Sequence, residues 1–112
     1  AEAKVKLGDF TGAAALVNQV RGRVSLNPIT ITSETDGINK ILKERLLELA
    51  FEGQRWFDLK RTGKALEVIN ARTDGKGNKL TYVSNLTEQR LLWPVPQSQL
   101  DKNPNLTQNP GY

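Results

Sequence analysis

The stretch ILKERLLELAFEGQRWFDLKRTG, residues 41–63, joins an apolar helical stripe to a second half rich in aromatic and charged residues around one glycine. Ile38, Leu42, Leu46, Leu49, Gly53 and Phe57 follow at steps of four, four, three, four and four, and Ile41 and Ala50 widen the stripe. That is the pattern of a helix turning one face to a core. The spacing predicts a helix from about Glu34 through Phe51 and onward to Lys60. Its start is marked by Ser33-Glu34-Thr35-Asp36, where the serine oxygen can accept from the amide three residues on. Gly63, behind Lys60 and Arg61, marks its stop. Gly53 inside the stripe costs about 1 kcal/mol relative to alanine, so close approach of another backbone, or a kink, is expected there. Phe51 and Phe57 would fill the space around it, and Arg55 and Arg61 would reach Glu52 and Asp58. Residues 51–63 thus read as a packing joint.

Charge and composition narrow the chemistry. The 112 residues are 38% hydrophobic and 25% charged, an ordinary globular composition. Neither cysteine nor histidine is present, which removes disulfides, thiolate nucleophiles, the common zinc sets and His-based triads. The formal charge of +4 invites a nucleic-acid reading, but Lys43, Arg45, Arg55, Lys60 and Arg61 are interleaved with Glu44, Glu48, Glu52 and Asp58. No single-sign helix face emerges, and nucleic-acid binding is not expected. Glu44, Glu48 and Glu52 recur at steps of four, as in carboxylate-bridged metal bundles, yet those sites also need histidine from partner helices. A carboxylate-pair hydrolase would flank its substrate from separate elements. Neither catalysis nor a cofactor is expected. Trp56, Phe57 and Trp93 could each stack on a sugar. Packing is the better reading for Trp56, beside the apolar stripe, and for Phe57, on it, while Trp93 and Tyr82 remain the ligand candidates.

Outward from this block, Ala1 to Leu7 reads as the tail of a helix with no capping residue ahead of it, suggesting a piece of a longer protein. Gly8 and Asp9 make a corner, and Leu16, Val17, Val20 and Val24 recur at helical spacing, so residues 1–24 form a helical hairpin. Residues 34–70 carry the helices of the central block, with Ala65, Leu66 and Ile69 giving a further turn or two. Residues 71–89 are turn-rich, with Leu80 to Val83 the one hint of a strand. In the tail, 90–112, Pro94 and Pro96 bar regular structure, while Leu91, Leu92, Trp93, Val95 and Leu100 are too apolar for a solvated end. The tail is expected to wrap along a groove of the helical body, burying Trp93.

Gly8, Asp9, Phe10 and Ala13 resemble the turn of a tetratricopeptide repeat. On a larger scale, residues 1–24, 41–63 and 91–112 resemble, in order, the C-terminal part of the SusD/RagB family. The middle block matches the family signature at Glu44, Arg45, Glu48, Leu49, Phe51, Glu52, Gly53, Arg55, Asp58 and Leu59, with Trp56, Phe57 and Arg61 beside it. The tail matches at Pro94, Pro96 and the terminal Asn109-Pro110-Gly111-Tyr112, while Gln54 stands where the family more often has histidine. The resemblance implies an all-α fold of tetratricopeptide-like hairpins with long irregular loops, forming a single unit with an extended proline-rich tail. It implies capture of a glycan or other nutrient beside a TonB-dependent, SusC-like transporter at the bacterial outer membrane. The lipid anchor would lie at an N-terminus outside this sequence, and residues 1–112 would be mainly scaffold for the remainder of the parent chain. The competing expectation is a tetratricopeptide-type adaptor that binds a peptide or protein.

Overall fold

The computed structural model describes residues 1–81 and 85–112. Among the described residues six helices follow in order: α1 Glu2–Lys6, α2 Phe10–Gly22, α3 Glu34–Glu48, α4 Arg55–Arg61, α5 Ala65–Asn70 and α6 Gln97–Leu100, with a 3-10 turn at Gln89–Leu91. Strand pairing among the described residues amounts to one isolated antiparallel bridge, Thr73 with Lys79. The fold is all-α. Contacts divide the chain into Ala1–Asp58 and Leu59–Tyr112, the division falling inside α4.

In residues 1–58, α1, α2 and α3 all pack on one another. Val5, Ala13, Ala14, Val17, Ile31 and Ile41 form the buried core, with Phe10, Ile29 and Ile38 packed against it. Local chemistry sets the helix ends. Asp9 caps α2 by accepting from the Gly12 amide at 2.8 Å, and Ser33 caps α3 by accepting from the Asp36 amide at 3.1 Å. At the α1–α2 corner the Gly8 amide donates to Val5 O and the Asp9 amide to Lys4 O, with Gly8 at φ +78°, a Schellman ending. The same bond pair closes α2, where Ser25 takes the left-handed position at φ 57°, and α4, where Gly63 takes it at φ 70°.

The close-approach glycine of this region is Gly37. A Cβ there would lie 2.7 Å from Val5 Cγ2 and 3.0 Å from Ile31 Cγ2, so α1 and the 23–33 connection meet bare backbone at the start of α3. That connection is held by Asn18, whose Nδ2 donates to Ile29 O at 2.9 Å while its Oδ1 accepts from the Ile29 amide at 2.8 Å.

The continuous helix expected to Lys60 is broken. α3 ends at Glu48, residues 49–54 turn, and α4 starts at Arg55. Phe51 at φ 67° and Gly53 at φ 73° make the turn left-handed at two positions. The cause is long-range. Arg45 Nε donates to Asp58 Oδ2 at 2.8 Å, and Arg55 Nη1 donates to Leu42 O at 2.8 Å. Along an unbroken helix each of these pairs would stand about 20 Å apart. Reversal brings a buried carboxylate its cation, which a straight helix could not. Gly53 therefore serves backbone conformation and not close packing, since a Cβ there would meet open space. Phe57 leaves the apolar stripe and is 65% exposed, and Phe51 is fully exposed, so neither fills a joint.

In residues 59–112, Leu59 and Ala65 are the buried apolar side chains among those described. Much of the remaining order comes from side-chain amides. Asn70 Nδ2 donates to Leu86 O and its Oδ1 accepts from the Leu86 amide, both at 2.9 Å. Gln108 treats Val95 the same way, at 2.9 and 2.7 Å. Asn109 Nδ2 donates to Trp93 O and the Tyr112 hydroxyl to Leu92 O. The extended segment around Pro94 and Pro96 thus satisfies its backbone through residues 108–112. Trp93 is 84% exposed, which corrects the expectation that it is buried in a groove.

Candidate functional site

The expected carboxylate ridge resolves into an interhelical clamp. Glu44 Oε2 accepts from Arg21 Nη1 at 2.7 Å, with both side chains largely buried, and Glu48 accepts from Arg23 one turn further on. Both arginines stand in or just beyond α2 and both glutamates on α3, so the two pairs tie those helices together as rungs. Glu52 lies outside α3 in the turn and is exposed. Three carboxylates at steps of four are therefore spent on helix pairing and a loop. Among the described residues, no group of three or more metal-ligating side chains converges.

Beside the rungs lies a cleft of about 560 Å³. Its walls are mainly apolar, from Leu16 and Val20 of α2 and Ile41 of α3, closed by Leu49 and by Ala1 and Ala3, with Glu44, Arg45 and Glu48 at its edge. The charged groups at that edge are already paired, so the cleft offers shape and apolar surface more than charge.

Asp58, a further signature residue, is only 3% exposed. Arg45 is among its partners, with Nε 2.8 Å from Oδ2. Arg55, expected to reach Glu52 or Asp58, turns instead to the Leu42 carbonyl within α3, and Asp58 accepts from Arg45. Burial leaves Arg55 Nε without a hydrogen-bond partner among the described residues.

Titration shifts accompany caps and turns. The Lys4 ammonium, then the Gly12 amide, hold the Asp9 carboxyl below its usual range. Lys40 and the Thr32 amide do the same for Asp36, and Asn78 with the Lys76 amide for Asp74. Each of these groups serves local structure, as a helix cap or within a turn.

Of the aromatic ligand candidates, Trp93 presents its ring to solvent from a backbone fixed by Asn109 and Gln108, and Tyr82 lies outside the described residues. Trp56 is at the border of exposure, at 36%. Pro94 follows Trp93, and Pro94 and Pro96 flank the half-buried Val95. Sequence reasoning missed Asn18, Asn70 and Gln108. Isolated amides carry no periodic signal, and only the fold shows that each pairs with one residue's whole peptide edge.

A family model described as SusD family matches residues 1–112. SusD-like protein P38 of Formosa agariphila is 38% identical over all of this chain and 22% of its own length. SusD-like protein P2 of the same organism is 36% identical over 89% of the chain and 21% of its own. A crystal structure of a SusD-like protein from Bacteroides fragilis superposes with a TM-score of 0.75 at 29% identity, covering 99% of this chain and 23% of that one. The chain thus spans about a fifth of the length of the curated relatives it matches. No helix among the described residues is long and apolar enough to cross a membrane.

Proposed function

This chain belongs to the SusD family, and on that premise we propose that it is the scaffold-forming part of a non-catalytic protein that captures a glycan or other nutrient at the bacterial outer membrane. The protein works beside a TonB-dependent, SusC-like transporter and is held to the membrane by an N-terminal lipid. The observation that carries this reading is the family match across residues 1–112. The fate of the carboxylates supports the non-catalytic part, since Glu44 and Glu48 beside the cleft are bound to arginines. Scaffold is the role proposed for Glu44, Arg45, Glu48, Gly53, Arg55, Asp58 and Arg61. Residues 1–24, 34–70, 71–89 and 90–112 are proposed as its successive parts within one unit, the first resembling a tetratricopeptide hairpin through Gly8, Phe10 and the fully buried Ala13.

The test is a binding screen of the full-length protein against soluble polysaccharides, with co-purification of its transporter from detergent-solubilised outer membranes. Retention of one polysaccharide and recovery of the transporter are expected. Cleavage of a glycan that stops on Glu44→Gln, or failure to bind any glycan or other nutrient, would overturn the reading. The apolar cleft favours a second reading, an adaptor that seats a peptide. In that case Val20→Glu at its wall abolishes capture of a protein partner and leaves glycan binding untouched.

A further inference from the structure

Residues 1–58 carry eight basic and eight acidic side chains, whereas residues 59–112 carry eight basic against four acidic, so the whole formal excess of +4 belongs to the second region. Part of it is concentrated in a small hairpin. The Leu80 amide donates to Arg72 O, Thr73 bridges Lys79, and the Asp74 amide donates to Asn78 O, which folds residues 72–80 back on themselves. At the tip, Asp74 Oδ1 accepts from the Lys76 and Asn78 amides and Oδ2 from Asn78 Nδ2. The hairpin's one carboxylate is thereby turned inward to hold its own turn. Arg72, Lys76 and Lys79 are exposed, and none of their side chains has an ion-pair partner among the described residues.

We propose that this hairpin binds an anionic polysaccharide, one bearing carboxylates or sulfates, through Arg72, Lys76 and Lys79. The proposal rests on the glycan-capture reading and narrows its substrate class. Two features favour a glycan over an acidic protein. Thr73, Gly75, Gly77 and Asn78, which separate the cations, offer hydroxyl, amide and bare backbone to solvent but no apolar anchor. A protein interface needs such an anchor at its centre. A hydrated, hydroxyl-rich chain does not. The turn is fixed before any ligand arrives, so three long cations can swing onto separate anionic groups of a repeating polymer with no further backbone ordering, leaving only the side-chain ordering cost to be met.

The experiment measures binding of the full-length protein to polygalacturonate, dextran sulfate and neutral dextran by affinity electrophoresis at low and high salt. Two variants are compared: Arg72→Gln with Lys76→Gln and Lys79→Gln, and the charge-retaining Arg72→Lys with Lys76→Arg and Lys79→Arg. The native protein should bind an acidic polymer and lose affinity as salt rises. The glutamine variant should bind about tenfold more weakly, three modest exposed charge contacts compounding, with melting unchanged. The charge-retaining variant should bind like the native protein. Acidic-polymer binding that survives the glutamine variant overturns the proposal. So does equal, hairpin-dependent binding to duplex DNA or phosphatidylglycerol vesicles, which would make the cations a general anion patch. A protein that binds neutral dextran or another neutral glycan and ignores both acidic polymers sinks this inference and leaves glycan capture standing.

Discussion

In residues 1–58 charged side chains face one another. Arg21 meets Glu44, Arg23 meets Glu48, Arg45 meets Asp58, and Lys6 meets Glu34, in a region whose core includes Val5, Ala13, Val17, Ile31 and Ile41. In residues 59–112 Arg72, Lys76 and Lys79 face water, as do Leu92 and Trp93. Both regions pin an irregular segment with a side-chain amide and both leave apolar side chains exposed, Phe51 and Phe57 in the first and Trp93 in the second, so the difference lies in where charge is spent. In the first region Glu44, Glu48 and Asp58 are consumed by pairs with arginine. In the second the hairpin cations remain at the surface, where the proposed recognition chemistry lies.

The sharpest way to break this comparison is Gly37→Leu. A side chain there must enter the contact with Val5 and Ile31, and the expected loss is about 3 kcal/mol in denaturant unfolding of the full-length protein. Gly53→Leu should cost less, about 1 to 2 kcal/mol, because it meets only the left-handed backbone penalty. Equal losses would erase the distinction between a packing glycine and a turn glycine.

Next comes Glu44→Gln, which leaves Arg21 short of its anion in a largely buried pair and should destabilise by about 1.5 to 3 kcal/mol. Glu48→Gln, in the more exposed rung, should fall under about 1 kcal/mol. A double-mutant cycle that finds no coupling at either rung would remove the clamp from the account. A smaller effect is expected at Ser25→Gly, which relieves a left-handed serine and should raise stability by about 0.5 kcal/mol once glycine's greater unfolded-state freedom is counted. Loss of stability there would mean the serine side chain does more than occupy a corner. Trp93→Ala should leave stability within about 0.5 kcal/mol of native, the ring being in water. A large drop in melting temperature would show Trp93 to be part of the packed fold. Unchanged melting with lost glycan binding would place it in the ligand site.

The helices were largely legible in the sequence, because their ends are local. Asp9, Ser33, Gly8 and Gly63 each act within five residues of themselves. The break at residues 49–54 was not legible, since steps of four and three continue through Gly53 to Phe57 and a periodic stripe does not report that the chain has turned. What turns it is the Arg45–Asp58 pair, thirteen residues apart. Gly37 was hidden in the same way. It sits in the first turn of α3, and only the position of Val5 makes its missing side chain matter. For the candidate site, the signature residues were visible but their partners were not, and the basic hairpin was masked by counting charge over the whole chain.

The amide clamps at Asn18, Asn70 and Gln108 give the protein a chemical lifetime as well as a shape. Each works because one primary amide offers a donor and an acceptor together. Hydrolytic deamidation exchanges the NH₂ for an oxygen and sets a carboxylate against the carbonyl of Ile29, Leu86 or Val95, turning an attraction into a repulsion. A mass gain of about one dalton would thus release a loop without breaking the chain. Asn18 and Asn70 sit within helices, where the backbone is held away from the geometry that cyclises an asparagine, so the fold these amides secure also slows their loss.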